Sequence, residues 1–360
     1  MPRPSASATP LSTAPTRYAR GRGCEMNGQC PSCAEQVAEG DMFCEACGRR
    51  LPDPHSATSM RRTPVGGPVL APQQGCAGCE YPMIDDDGFC LRCGRQQPLA
   101  RDRMTYDLGL VCGASDRGLV RDHNADAMAF GLAGLPGRPR TVVAAVCDGV
   151  GSTAMSDKAA QVAADAAVGE LLEGAVNGVR PRLLAAASKA ADAVVALSDV
   201  EKPSTTFLSA VITAREITVA WLGDSRAYWI AGDGSRGEQV TDRSSVTGST
   251  CLTIDHTARN ALLTDEASAA HTLTRWVGAD STDLRPQVMT VTPTQPGMVV
   301  LCTDGLWGYL KEPETLATYI LGSRSTADAV SSLVDAAKAH GGRDNVTVVA
   351  VPFPPALERQ

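Results

Sequence analysis

The chain has 360 residues, 43% of them hydrophobic, and a formal charge of −7. That length accommodates a main domain plus small modules. The charge excludes wholesale electrostatic binding of nucleic acid, and no apolar run approaches the roughly 20 residues that span a bilayer. The N-terminal stretch lacks the apolar block of a secretory signal, so a reducing, cytoplasmic location is expected and the 13 cysteines must be metal ligands or buried thiols.

Residues 1–23 are rich in Ser, Thr, Pro, Ala and Arg without periodicity and read as a disordered tail. Two cysteine quartets follow: Cys30, Cys33, Cys44 and Cys47, then Cys76, Cys79, Cys90 and Cys93. Each is a pair of CxxC knuckles ten residues apart, repeated at an offset of 46. The same offset matches Phe43 with Phe89, Gly48 with Gly94 and Arg49 with Arg95, so the repeat includes the turn after the second knuckle. Four thiolates so spaced suit tetrahedral, structural Zn²⁺, and modules this small need the metal to fold; disulfide staples are the alternative in an exported chain. The quartets resemble the short zinc ribbons found beside bacterial signalling domains, at residues 24–50 and 75–98, with a Pro- and Ser-rich linker over 51–74. Arg49, Arg50 and Arg95 lack an interleaved aromatic platform, which favours docking of a protein partner over nucleic acid. Cys24 lies outside both quartets, and Cys112, Cys147, Cys251 and Cys302 read as buried thiols.

The remainder, 103–353, mixes strands with Ala-rich helical stretches. Helices are expected from a Ser156 cap to Leu172, from Pro181 to Leu197, and from a Ser325 or Thr326 cap to Gly341. Phe207–Thr213, Ile217–Leu222 and Ala227–Ile230 read as a meander of short strands, and the tract from Ser245 to Ala270 as an irregular insertion. Helical pieces flank the strands in sequence, which predicts a layered α+β domain.

Three acidic spots, Asp148-Gly149, Asp304-Gly305 and Asp344-Asn345, each abut an apolar strand (142–147, 298–302 and 346–351). Singly, each reads as a turn. Jointly, carboxylates at strand ends can converge and select hard cations such as Mg²⁺ or Mn²⁺, pointing to hydrolytic chemistry.

Further fragments place these aspartates in a longer series: Ser115-Asp116-Arg117-Gly118 through Arg121 to Asp126, Ser204-Thr205-Thr206, Gly223-Asp224-Ser225-Arg226, Thr274-Arg275-Trp276-Val277-Gly278 and Gly342-Arg343-Asp344-Asn345. In this order they resemble the PP2C-type (PPM) metal-dependent protein serine/threonine phosphatases, over about 250 residues. The resemblance implies an α-β-β-α sandwich of two antiparallel sheets flanked by helices. It also implies hydrolysis of phosphoserine and phosphothreonine by a water between two Mn²⁺ or Mg²⁺ ions. Asp148 would bridge the ions, the Gly149 carbonyl would face one, Asp304 and Asp344 would complete the other, and Asp126 would act around them. Arg121 would clamp the phosphoryl group, and Asp224 would help hold a third ion. Partners would be phosphorylated proteins, including serine/threonine kinases and their substrates, with the ribbons targeting or scaffolding. Three positions differ from patterns in the family: Ala125 replaces an acidic neighbour of Asp126 found in many members, Val150 stands where the animal enzymes have a histidine that bacterial members commonly lack, and Arg243 replaces the middle residue of the usual Asp-His-Ser. The rival reading is a pseudophosphatase adaptor that binds phosphoproteins without turnover. His123, His256, His271 and His340 lack metal-type spacing and are expected at the surface or in caps.

Overall fold

The computed structural model describes Ala46 and residues 61–355 apart from 67–74, 77–78, 86–87, 95–96, 98–99, 135–139, 152–154, 175–176, 199 and 262–271. The chain divides into two compact units, Met1–Ala57 and Thr58–Gln360. The expected tail, Cys24 and the first quartet (Cys30, Cys33, Cys44 and Cys47) lie outside the described residues, so the account concerns the second unit.

Its regular elements begin with β1 (Arg61–Arg62), β2 (Arg103–Asp107), β3 (Cys112–Asp116), β4 (Asp126–Ala133), β5 (Thr141–Val150), α1 (Ser156–Glu173) and α2 (Val179–Val195). A central run of strands follows: β6 (Ser204–Thr205), β7 (Phe207–Ile212), β8 (Ile217–Leu222), β9 (Arg226–Ala231), β10 (Ser244–Val246), β11 (Thr250–Cys251), β12 (Val277–Gly278), β13 (Gln287–Pro293) and β14 (Gly297–Cys302). The C-terminal part holds α3 (Asp304–Trp307), α4 (Pro313–Leu321), α5 (Thr326–Ala339) and β15 (Val346–Phe353).

Two sheets stack face to face. One has the order β1-β4-β5-β7-β8-β13-β10, with β6 beside β5 and β12 beside β6; the other runs β11-β9-β14-β15-β3-β2. Neighbours are antiparallel except β10 with β13. Because side chains alternate across a strand, β5 sends Val142, Ala144 and Val146 into the core between the sheets. Val143, Ala145 and Cys147 point the other way, onto α1 and α2. Likewise β15 gives Val349 and Val351 to the central core and Val346, Val348 and Ala350 to the layer under α3–α5. Both faces are covered, which is why these strands read as unbroken apolar runs. Each fully buried Val or Leu contributes about 1.5–3 kcal/mol. The alanines Ala159, Ala160, Ala163, Ala164 and Ala167 of α1 are buried against the sheet, where small side chains permit close approach.

The expected layered sandwich is present, with local differences. Ser156 is the first buried helical residue, and Met155 takes the cap position. The second helix starts at Val179, placing Pro181 inside the first turn, where its missing N–H costs nothing. Ser325 does cap α5, accepting from the Asp328 N–H at 3.0 Å. The meander is a correction: β7 and β8 belong to one sheet but β9 to the other, so the turn carrying Asp224 crosses between layers. Gly223 makes this crossing at φ +110°, where a Cβ would lie 2.8 Å from the Thr206 side chain. The supposed insertion supplies β10 and β11. Within the stretch expected to be linker, β1 pairs with β4 and buries Thr63, because the free edge of β4 offers unpaired backbone groups.

Candidate metal and phosphoryl site

The acidic spots converge because the two sheets end together. Asp126 opens β4 directly opposite Asp148 on β5. In the other sheet Asp304 follows the end of β14 and Asp344 precedes the start of β15, two strands that pair with each other. The result is a pocket of about 710 Å³ whose lining includes Arg121, Asp148, Gly149, Asp224, Asp304 and Asp344. Asp126 lies beneath it, fully buried.

Hydrogen bonds hold the carboxylates in place. Oδ2 of Asp126 accepts from Thr303 Oγ1 at 2.8 Å and from Thr347 Oγ1 at 2.7 Å. Its Oδ1 is buried with no partner, a costly arrangement unless something else bonds it. The Asp148 N–H donates to Thr206 Oγ1 at 2.9 Å, and Thr205 Oγ1 donates to the Asp148 carbonyl at 2.8 Å. At Gly149 a Cβ would lie 2.5 Å from the Ser156 carbonyl, so only glycine lets β5 and the start of α1 approach this closely.

The electrostatics are those of a cation site. Burial, reinforced by Asp126 and Asp304, pushes the Asp148 carboxyl well above the usual range. Burial also pushes Asp126 up to about 7, against the two threonine hydrogen bonds. Asp224 is pushed up to about 8 by burial, then by Asp304 and Asp255. Among the described residues Arg121 is the only Lys or Arg lining the pocket. Crowded carboxyl oxygens, one of them buried and unbonded, fit hard divalent cations such as Mg²⁺ or Mn²⁺.

Arg121 forms a two-point ion pair with Asp344, Nε to Oδ1 at 2.8 Å and Nη2 to Oδ2 at 2.6 Å. Asn345, to which the sequence reading gave no role, ties down the loop before β4. It accepts from the Ala125 N–H at 2.8 Å and donates to the Arg117 and His123 carbonyls at 2.9 Å each. Thr303, Thr347 and Asn345 all adjoin or follow the acidic motifs, so proximity to Asp304 and Asp344 was the available signal. Ala125 is buried and Val150 lines the pocket. Arg243 adopts a left-handed φ of 62° in a turn where its N–H bonds the Thr290 carbonyl.

The histidines divide. His123 is exposed, His340 occupies the C-cap of α5, and His271 is outside the described residues. His256 departs from the surface expectation: it is buried, stacked on Trp221 with centroids 6.2 Å apart, and contacted by the Gly223 N–H and Arg275 Nη1 at 3.1 Å each. Burial and then Arg275 lower its pKa to about 4. The unfolded chain therefore takes up this proton first as pH falls, so the stability is intact above about 6.5 and lost toward 4. We expect about 2 kcal/mol of loss after allowing for solvent screening. His256→Gln should flatten the dependence of melting temperature on pH in that window.

In the second quartet the Cys76–Cys93 and Cys79–Cys90 sulfurs are each 3.6 Å apart, and all four lie within 4.8 Å of one another. A tetrahedral centre with Zn–S near 2.3 Å has sulfur–sulfur edges of about 3.8 Å, so the cluster fits Zn²⁺, whereas a disulfide needs about 2.05 Å. Cys112, Cys147 and Cys302 are buried free thiols as expected. Cys251, on the edge strand β11, is only partly buried. No helix among the described residues is long and apolar enough to cross a membrane.

Comparison with known proteins agrees with this geometry. Residues 30–94 match the double zinc ribbon family, and residues 122–338 match the family described as protein phosphatase 2C. The serine/threonine phosphatase stp of Listeria innocua is 24% identical over 254 residues, covering 66% of this chain and 93% of that protein. The serine/threonine protein phosphatase PstP of Mycobacterium tuberculosis is 28% identical over 243 residues, covering 65% of this chain and 43% of that protein. A crystal structure of the M. tuberculosis phosphatase superposes with a TM-score of 0.53 at 25% identity, covering 68% of this chain and 97% of that one. The PstP catalytic domain in complex with two manganese ions does so with a TM-score of 0.52 at 25% identity, covering 68% and 97%. With its two strand-end aspartate pairs gathered at one pocket, Asp148, Asp304 and Asp344 lining it and Asp126 beneath, and the family match spanning more than half its length, the chain belongs to the protein phosphatase 2C family and carries a double zinc ribbon ahead of the catalytic domain.

Proposed function

We propose that this protein phosphatase hydrolyses phosphoserine and phosphothreonine on other proteins, with two Mn²⁺ or Mg²⁺ ions held by Asp148, the Gly149 carbonyl, Asp304 and Asp344. Asp126 supports them from beneath, and Asp224 serves a third ion. The convergence of these groups on one pocket carries the reading. Bound there, the ions make a shared water acidic enough to supply hydroxide near neutral pH and offset phosphoryl charge.

The chain itself supplies positioning. Arg121 presents a planar donor fork at the pocket, suited to two phosphoryl oxygens at once, which would compete with Asp344 for it. Fixing the phosphoryl group against buried, prearranged groups is the main task in phosphoryl transfer. Val150 carries no proton, so the leaving serine or threonine oxygen is protonated by solvent at the open face of the pocket. Partners are phosphorylated proteins, including serine/threonine kinases and their substrates. The ribbons hold structural Zn²⁺ and dock a protein partner, and the free thiols suit a cytoplasmic setting.

The test is phosphate release from a phosphothreonine peptide with and without Mn²⁺, paired with calorimetric titration of Mn²⁺. Saturable uptake of at least two ions together with turnover is expected. Turnover that persists undiminished in EDTA would refute the reading, and peptide binding without turnover would establish the adaptor instead.

A further inference from the structure

Close along the chain, Gln97 is bonded to the second ribbon, and Arg101 and Asp102 are bonded to the phosphatase site. At the ribbon end, Gln97 is buried; its Nε2 donates to Cys76 Sγ at 3.4 Å and its N–H to the Gly88 carbonyl at 2.8 Å. Four residues later, Nη2 of Arg101 donates to the Asp126 carbonyl at 3.3 Å and to the Asp157 carbonyl at 3.2 Å. Asn124 Nδ2 donates back to the Arg101 carbonyl at 2.8 Å. The Asp102 carbonyl accepts from the Arg117 N–H at 2.8 Å, and Arg117 Nη1 reaches the Arg121 carbonyl at 2.5 Å.

These bonds go to the parts that set the site. Asp126 begins β4 and Asp157 lies in the first turn of α1, the turn whose Ser156 carbonyl packs on Gly149. A single guanidinium therefore fixes the separation of the two backbone segments that flank Asp148 and Gly149. The loop 117–121, which carries Arg121, is tied to the same segment through Asp102. The three groups that Arg101 and Asn124 satisfy here are backbone carbonyls, none of them a metal-facing side chain, so the contribution is to geometry. A Cys76 sulfur in a metal-bound quartet is a thiolate, a stronger acceptor for Gln97 than a thiol.

We propose that Gln97, together with Arg101 and Asp102, braces the phosphatase site against the loaded second ribbon, with Arg101 as the positioning residue. Metal in the ribbon and metal in the phosphatase pocket are thereby coupled. This rests on the functional reading above, through the Mn²⁺ that the pocket takes.

The experiment uses the full chain with Mn²⁺ as the probe, in two readouts: Mn²⁺ affinity by calorimetry and hydrogen exchange of amides 117–126. Arg101→Ala should weaken Mn²⁺ about 10-fold, the lower end of effects seen for outer-shell partners, and raise exchange in that segment. Arg101→Lys, which keeps the charge but not the fork, should recover part of the affinity. Gln97→Ala and a Cys79→Ser, Cys93→Ser pair should shift both readouts in the same direction. Combined with Arg101→Ala they should add nothing further, because the path is already cut. Unchanged affinity and exchange in Gln97→Ala and in the cysteine pair, or full additivity with Arg101→Ala, would overturn the brace. If Arg101→Ala does not fold, the Gln97→Ala and cysteine variants alone decide the matter by the same two readouts. Wild-type protein that takes up no Mn²⁺ would instead refute the functional reading, while exchange still reports on the brace.

Discussion

Alanine at both Asp148 and Asp304 should abolish the proposed metal-dependent phosphate release, by at least about 10⁴-fold. On the proposed mechanism, removing these carboxylates would remove both the acidified water and the charge compensation, together worth at least about 5 kcal/mol of barrier. The same variant should melt higher than the parent in EDTA. Asp148 is held among Asp126, Asp304, Asp224 and Asp344, so deleting two carboxyls relieves burial and repulsion, and we expect a gain of about 1–2 kcal/mol. Adding Mn²⁺ reverses the ranking: a hundredfold excess over the dissociation constant stabilises the parent by about 2.7 kcal/mol and leaves the variant unmoved. Phosphate release and thermal melts with and without Mn²⁺ read all of this, and a variant that melts lower in EDTA would show that the acidic cluster is not strained.

The second large effect lies behind the pocket. Arg226 and Asp255 form a buried two-point ion pair at 2.9 and 2.7 Å. Arg226 also donates to the Tyr228 hydroxyl at 3.1 Å, and its guanidinium stacks 3.9 Å from the Trp307 ring centre. Trp307 in turn donates to the Asp224 carbonyl at 2.9 Å. Asp255→Ala strands a buried guanidinium, which costs about 3–5 kcal/mol, or roughly 6–20 °C in a domain of this size. An Arg226→Met, Asp255→Leu double variant should recover most of that loss, since a buried pair is worth little against packed apolar groups. The double variant also frees Trp307 from its stacking partner. Thermal melts of the single and double variants check the point; equal destabilisation by both would mean that packing, rather than stranded charge, sets the cost.

Both effects draw on features that differ in how plainly the chain displays them. The aspartates at 148, 304 and 344 stand next to apolar runs, and a run buried on both faces has no choice but to be an inner strand. Cys76, Cys79, Cys90 and Cys93 announce their cluster by spacing alone, because a knuckle is a local turn. Helix α4 escaped notice although Pro313 stands at its start and Leu316, Ala317 and Ile320 are buried, since nine residues carry little periodicity. The meander failed for a different reason. Gly223-Asp224-Ser225 has turn composition, and composition cannot distinguish a hairpin within one sheet from a crossing between two. His256 and Asp255 sit in a tract with no period, so their burial against Trp221 and Arg226 follows only from how the layers close.

From its residues alone, then, the protein's longer strands and helices, its thiolate knuckles and the identity of its acidic groups were determined, because these depend on contacts close along the chain. Which carboxylates meet, that Asp126 lies beneath the pocket with an unbonded oxygen, that Arg121 grips Asp344, and that the segment after the second ribbon reaches the start of β4 were decided by the tertiary structure. Those relations join residues up to 223 positions apart, and they arise only when two twisted sheets pack and bring their strand ends to one side.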